Sequence, residues 1–305
     1  MNTNKTKTDQ KRRLRILSAV CLSILLLVTA ASAEQSKLPE NGKIAFASIV
    51  KEQYDIFTMN SDGTKLTNLT NSPEQDEISP SWSPDGKRLA FLYKLDERSY
   101  VIGYVDADGS NMTMLLEVFL PKSDGDTLSW SPDGKSIAFT SEGDIYSMAI
   151  DNGYPVNLTN NPPYNRQPSF SPNGEQIAFT RQEENGLGVF TMYADGGKVE
   201  RTLLGADFKG ASAAKFSPDG NRFLFLTNLE GGCSCLVSAK TDGTDNDILA
   251  VNASSADWSP DGTKVVFARE DGSSSQIYVT PANGDGPQYP IGPKGARQPD
   301  WQPLP

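Results

Sequence analysis

From residue 43 onward, apolar residues come in short bursts, such as KIAF at 43–46, LAFLY at 89–93, IAFT at 137–140 and VVFA at 265–268, separated by polar runs rich in Asp, Gly, Asn and Pro. Within a burst both alternating positions are apolar, as in a strand covered on both faces. No apolar repeat of helical period appears after residue 34. The pattern therefore predicts an all-β chain of short strands joined by tight turns.

The bursts belong to a repeat. SWSPDGKRLAF at 81–91 is followed by SWSPDGKSIAF at 129–139, SFSPNGEQIAF at 169–179, KFSPDGNRFLF at 215–225 and DWSPDGTKVVF at 257–267. A truncated copy, DWQPLP, occupies 300–305. Its rings, Trp82, Trp130, Phe170, Phe216, Trp258 and Trp301, stand 48, 40, 46, 42 and 43 residues apart. That period, with strand-like content, predicts a β-propeller with one four-stranded antiparallel blade per repeat. The rings are read as core residues between blades.

The missing half of the sixth copy stands near the other end of the chain, as NGKIAF at 41–46. Joining DWQP to NGKIAF rebuilds one full motif. The expected fold is thus a six-bladed propeller closed by pairing of its N- and C-terminal strands, which leaves no open blade edge. Ser-Pro-Asp-Gly suits a type I turn. Asp-Gly or Asn-Gly pairs near 62, 108, 152, 195, 242 and 283 suit hairpins after the third strands. KLTNLT at 65–70 and VNLTN at 156–160 then supply outer strands.

Residues 1–33 form a separate unit, and 34–305 the propeller. Lys5, Lys7, Lys11, Arg12, Arg13 and Arg15 precede an apolar stretch from Ile16 to Val28 and an Ala31-Ser32-Ala33 cleavage pattern. This reads as a signal peptide. A retained anchor is the alternative, but the stretch is shorter than the roughly 20 residues a span prefers. Cys21 lacks the upstream apolar region expected of a lipoprotein site. The expected location is periplasmic or secreted. The whole chain carries 28 Lys and Arg against 38 Asp and Glu, a net charge of −10, and removing the basic leader makes the remainder more acidic still. Such a protein repels nucleic acid and anionic membranes.

Histidine is absent from all 305 residues. Nucleophilic triads and general acid–base work that use imidazole are thereby excluded, as are His-ligated metal centres. Carboxylate-pair glycosidase chemistry stays open, although most Asp residues fall in turns, where local hydrogen bonds account for them. No cofactor and no metal site is expected. Cys233 and Cys235 in GGCSC read as a strained disulfide at a hairpin tip rather than half a metal site, with free thiols as the other option. Asn68, Asn111, Asn157 and Asn252 match Asn-x-Ser/Thr acceptors. The repeated Leu-Thr-Asn outer strands explain two of them without a glycan.

Trp-Ser-Pro-Asp-Gly-x-x-Ile-Ala-Phe with a following Ile-Tyr and Asp-Gly resembles the propeller of the TolB family, WD40-like Pro-Asp repeats of the bacterial cell envelope. The resemblance covers about 39–305 and includes the ending Gln-Pro-Asp-Trp-Gln-Pro at 298–303. It implies a monomeric, non-catalytic propeller that binds a protein or peptide in the envelope, with an envelope lipoprotein as the analogous partner. The family's α/β domain is not expected here. The alternative is a carboxylate- or metal-dependent carbohydrate-active enzyme. Oligogalacturonate lyases carry similar repeats but depend on histidine ligands.

Propeller function resides on loops held by a rigid scaffold. The Ser-Pro-Asp-Gly and Asp-Gly turns share one face, short and repetitive. The connections between blades share the other, at 70–79, 117–127, 160–167, 205–212, 250–255 and 291–298. They carry the candidate partner-binding residues Asp76, Glu77, Asp126, Tyr164, Arg166, Phe208, Lys209 and Arg297.

Overall fold

The computed structural model describes residues 42–304 apart from 73–74, 121–127, 152, 161–163, 203–207, 229–233 and 273. The proposed leader, Asp126 and Cys233 lie outside the described residues. The chain opens with β1 (Lys43–Val50), β2 (Gln53–Asn60) and β3 (Thr67–Asn68). Blade one is β4 (Glu77–Trp82), β5 (Arg88–Lys94), β6 (Ser99–Asp106) and β7 (Thr113–Phe119). Blade two is β8 (Ser129–Trp130), β9 (Ser136–Ser141), β10 (Asp144–Ala149) and β11 (Val156–Asn157). Blade three is β12 (Asn165–Phe170), β13 (Gln176–Glu183), β14 (Gly186–Tyr193) and β15 (Glu200–Arg201). Blade four is β16 (Lys209–Phe216), β17 (Arg222–Asn228), β18 (Ser234–Lys240) and β19 (Asp247–Val251). Blade five is β20 (Ala253–Trp258), β21 (Lys264–Asp271), β22 (Ser274–Pro281) and β23 (Tyr289–Lys294).

The last strand, β24 (Arg297–Trp301), joins the first three in the order β24-β1-β2-β3, which completes blade six. Ile44 faces Trp301 and Ala45 faces Asp300 across the antiparallel pair. Gln302 reinforces the junction. Its backbone N–H donates to Lys43 O at 2.8 Å, its Oε1 accepts the Lys43 N–H at 2.9 Å, and its Nε2 donates to Gly86 O in blade one at 2.8 Å. All six sheets are four-stranded.

The core lies between blades. Six buried clusters each join two neighbours around the ring, including one that sets Ala45, Ala47 and Ile56 of blade six against Trp82, Leu89 and Phe91 of blade one. The four tryptophans of the repeat are buried, as expected of core rings, whereas Phe170 and Phe216 are half-buried.

The Ser-Pro-Asp-Gly turns close as the sequence predicts. Gly86 N–H donates to Ser83 O at 2.8 Å, and Gly86 takes φ +66°, the left-handed region that glycine alone enters without strain. The Ser83 hydroxyl donates to Asp85 at 2.7 Å and accepts the Arg88 N–H at 2.9 Å. The same network recurs at Ser131–Asp133 and Ser217–Asp219. These serine hydroxyls, with neighbouring backbone N–H groups, hold the turn carboxylates below their ordinary range.

Candidate functional site

Six inner strands, β4, β8, β12, β16, β20 and β24, surround a central channel. The residue just before each ring, Ser81, Ser129, Ser169, Lys215, Asp257 and Asp300 in turn, builds a girdle. Asp300 accepts the Trp82 N–H at 2.8 Å, Asp257 the Trp301 N–H at 2.8 Å and Ser129 the Phe170 N–H at 2.9 Å. Each bond ties one blade to the next. Lys215 Nζ lies 3.1 Å from Asp257 and 3.2 Å from Asp300. Burial opposes the Lys215 charge, but the two carboxylates prevail and raise its pKa. Burial, then Asp257, pushes the Asp300 carboxyl up to about 7 against the pull of Lys215.

A second girdle uses residues three positions before the ring. Gln298 Oε1 accepts the Ser79 N–H at 3.1 Å, Gln167 Oε1 the Ala213 N–H at 3.1 Å and Ser255 Oγ the Gln298 N–H at 3.2 Å. Ser79, Gln167, Ala213 and Gln298 all have φ between +52° and +58°, and the strand register shifts beside them. These are β-bulges that re-aim side chains at the rim of the channel.

Above the girdles, on the face of the inter-blade connections, a cavity of about 690 Å³ is lined by Arg166, Gln167, Glu270, Arg297 and Gln298 among others. Lys215 and Asp300 also line the cavity of about 440 Å³ on the turn face. Their ion-pair cluster thus sits between the two mouths. Arg297 lies over the Tyr54 ring, 3.8 Å from its centroid. Arg166 and Arg297 occupy the same position, four residues before the ring, in blades three and six. They are opposite each other in a six-membered circle.

The other predicted residues scatter. Asp76 accepts the Tyr54 N–H at 2.9 Å and lies 3.7 Å from Lys94, beside a smaller rim groove. Glu77 is not on a loop: it begins β4 and is fully buried. Thr70 donates to its Oε2 at 3.1 Å, while its Oε1 and Oδ1 of buried Asp55 have no hydrogen-bond partner. Burial, with a smaller contribution from Asp55, pushes the Glu77 carboxyl up to about 7. Tyr164 is 64% exposed and packs on Gly143, whose φ of +84° and lack of Cβ admit the ring. Phe208 stacks edge-on against Phe225 at 5.5 Å, part of the core of blade four. Lys209 opens β16 opposite Asn228. Cys235 is buried in β18. Asn68 and Asn157 donate their side-chain amides to Asp55 and Asp144 at 2.6 and 2.9 Å, so both acceptor sequences have structural work.

Sequence reasoning missed Lys215, Asp257, Asp300, Gln167, Gln298 and Tyr54. The signal was present: the position before each ring reads Ser, Ser, Ser, Lys, Asp, Asp, which places one cation beside two anions.

The TolB β-propeller domain family (PD40) matches residues 122–305. The chain belongs to this family. The TolB structure from Acinetobacter baumannii is similar with a TM-score of 0.75 and 22% identity, covering 88% of this chain and 69% of that one. A putative TolB from Agrobacterium tumefaciens gives 0.66 and 18%, covering 84% and 91%. An oligogalacturonate lyase from Vibrio parahaemolyticus gives 0.55 and 14%, covering 82% and 74%. These likenesses establish the shared fold. A curated protein from Agrobacterium fabrum is 33% identical over 84 residues, which is 28% of each chain. No helix among the described residues is long and apolar enough to cross a membrane.

Proposed function

We propose that this TolB-like propeller is an exported, non-catalytic binding module that holds a protein or peptide partner, an envelope lipoprotein by analogy with TolB, on the face of its inter-blade connections. The observation that carries the reading is the cavity of about 690 Å³ on that face, lined by polar side chains such as Gln167 and Arg297 together with apolar ones such as Leu128, Leu187 and Leu226, and set in a rim where Ile49, Leu95, Phe119 and Tyr164 are each at least 45% exposed. A recess of mixed polar and apolar lining within a partly apolar rim suits a protruding segment of another protein. The channel carboxylates favour binding over the carbohydrate-enzyme alternative, because Asp257 and Asp300 are engaged by Lys215 and by the Trp301 and Trp82 N–H groups. Their role is structural.

A photo-crosslinking phenylalanine at position 95 or 164, on this face, is expected to capture one discrete partner in the envelope of producing cells. The same probe at position 154, where Tyr154 is 92% exposed beside a turn on the opposite face, is expected to capture none. Capture from 154 alone would overturn the face assignment.

A further inference from the structure

Arg297 is a cation with no anionic partner among the described residues. It opens β24 with its backbone opposite Ala47 and lines the cavity of the connection face. Its guanidinium lies over Tyr54 and makes no hydrogen bond or ion pair with any described residue. Burial accounts for its lowered pKa, and Glu270, which lines the same cavity, makes no ion pair with it. Two other arginines do have acids, Arg222 with Asp245 at 2.9 Å and Asp247 at 3.1 Å and Arg201 with Glu183 at 3.0 Å, whereas Arg269, stacked on Tyr278 at 4.5 Å, has none among the described residues but does not line this cavity. In a chain with ten more acids than bases, a half-buried guanidinium at the central cavity with no acid paired to it among the described residues is placed to receive an external anion.

The chemistry of that ligand follows from the geometry. A guanidinium stacked through its face keeps its in-plane N–H fork for an acceptor, and that fork matches a carboxylate bidentately. Ile49 is half-exposed and pairs with Tyr54 across the β1–β2 hairpin, so an apolar lip adjoins the charge. Arg166 faces the same cavity from the opposite blade, with Ser212 and Ser254 at the equivalent positions between them. Resting on the loop-face reading above, we infer that Arg297 is the carboxylate receptor of this mouth, and that the partner inserts an acidic peptide segment, its Asp or Glu on Arg297 and an apolar neighbour on Ile49 and Tyr54.

The test is selection of blocked octapeptides from a random synthetic library on the immobilised mature protein, followed by titration of a selected peptide and its Gln/Asn counterpart. Selected sequences are expected to be enriched in Asp or Glu, and the acidic peptide to bind about tenfold tighter than the neutral one. Arg297→Gln should abolish that difference, Arg297→Lys should keep part of it, and Lys135→Glu on the turn face should leave it intact, with thermal melts confirming that each variant is folded. Glutarate should bind far more weakly than the acidic peptide. Enrichment of non-acidic sequences, or an acidic preference that survives Arg297→Gln, would overturn the carboxylate assignment while leaving the docking face. Glutarate binding as tightly as the peptide would replace the peptide with a small dicarboxylate. No enrichment at all would overturn both readings.

Discussion

The Glu77 carboxyl is sealed at the junction of blades six and one, next to Asp55, with one oxygen of each left without a hydrogen-bond partner. A related site in blades two and three is built differently. There Asn165 donates its amide to Asp144 at 3.3 Å, and Thr159 donates to the same oxygen at 2.6 Å. Glu77 holds its proton up to about pH 7 in the folded protein, whereas the unfolded chain releases it near its ordinary value. Between those limits the native state binds the extra proton, so this contribution is complete below the unfolded value and is lost as pH rises through about 7. Glu77→Gln supplies an amide donor, as Asn165 does. It should raise stability above neutral pH by roughly 1–3 kcal/mol and flatten the pH profile. Urea midpoints of both proteins on either side of neutrality check this; a variant less stable than the parent at the alkaline end contradicts it. Charge reversal at the same position would act on folding rather than on binding.

At the scale of the element, the turns explain why so much of the fold was legible. Ser-Pro-Asp-Gly carries its own hydrogen-bond network, so local chemistry alone sets the hairpin. Asp133 shows this: its Oδ1 accepts both the Ser131 hydroxyl at 2.6 Å and the Lys135 N–H at 3.0 Å. Asp133→Ala should cost about 1 kcal/mol, read as a lower denaturant midpoint with an unchanged slope; no loss would mean the turn is held by packing alone. The inner strands were harder to see. EISPSW, NRQPSF and RQPDW lack apolar alternation because one side faces a channel, and their prolines and bulges break the period. Their first residues were therefore assigned to connections, which prove shorter: only Asn252 separates β19 from β20. The same blindness hid Lys215 and its two aspartates, which no single repeat distinguishes. Arg166 and Arg297 were visible as charges beside a rim, but their facing arrangement follows only from superposing blades on their rings.

Over the whole molecule, stability and site share one cause. Every blade contributes to two inter-blade cores, and two girdles of side-chain-to-backbone bonds link successive inner strands around the channel. Such a ring fixes the arrangement of its mouth, so a partner docking there as proposed would be spared the cost of ordering it. Rigidity requires closure, and closure rests on β24, where Trp301 lies 3% exposed against blade five and Gln302 reaches both Lys43 and Gly86. Opening the ring exposes the edge of β1 and the apolar faces of two blades. The most direct measurement is calorimetric melting of the protein with and without residues 298–305. The account predicts that the shortened protein loses the single cooperative transition, or aggregates well below the parent's melting temperature. An identical, equally sharp transition in the two proteins would contradict it.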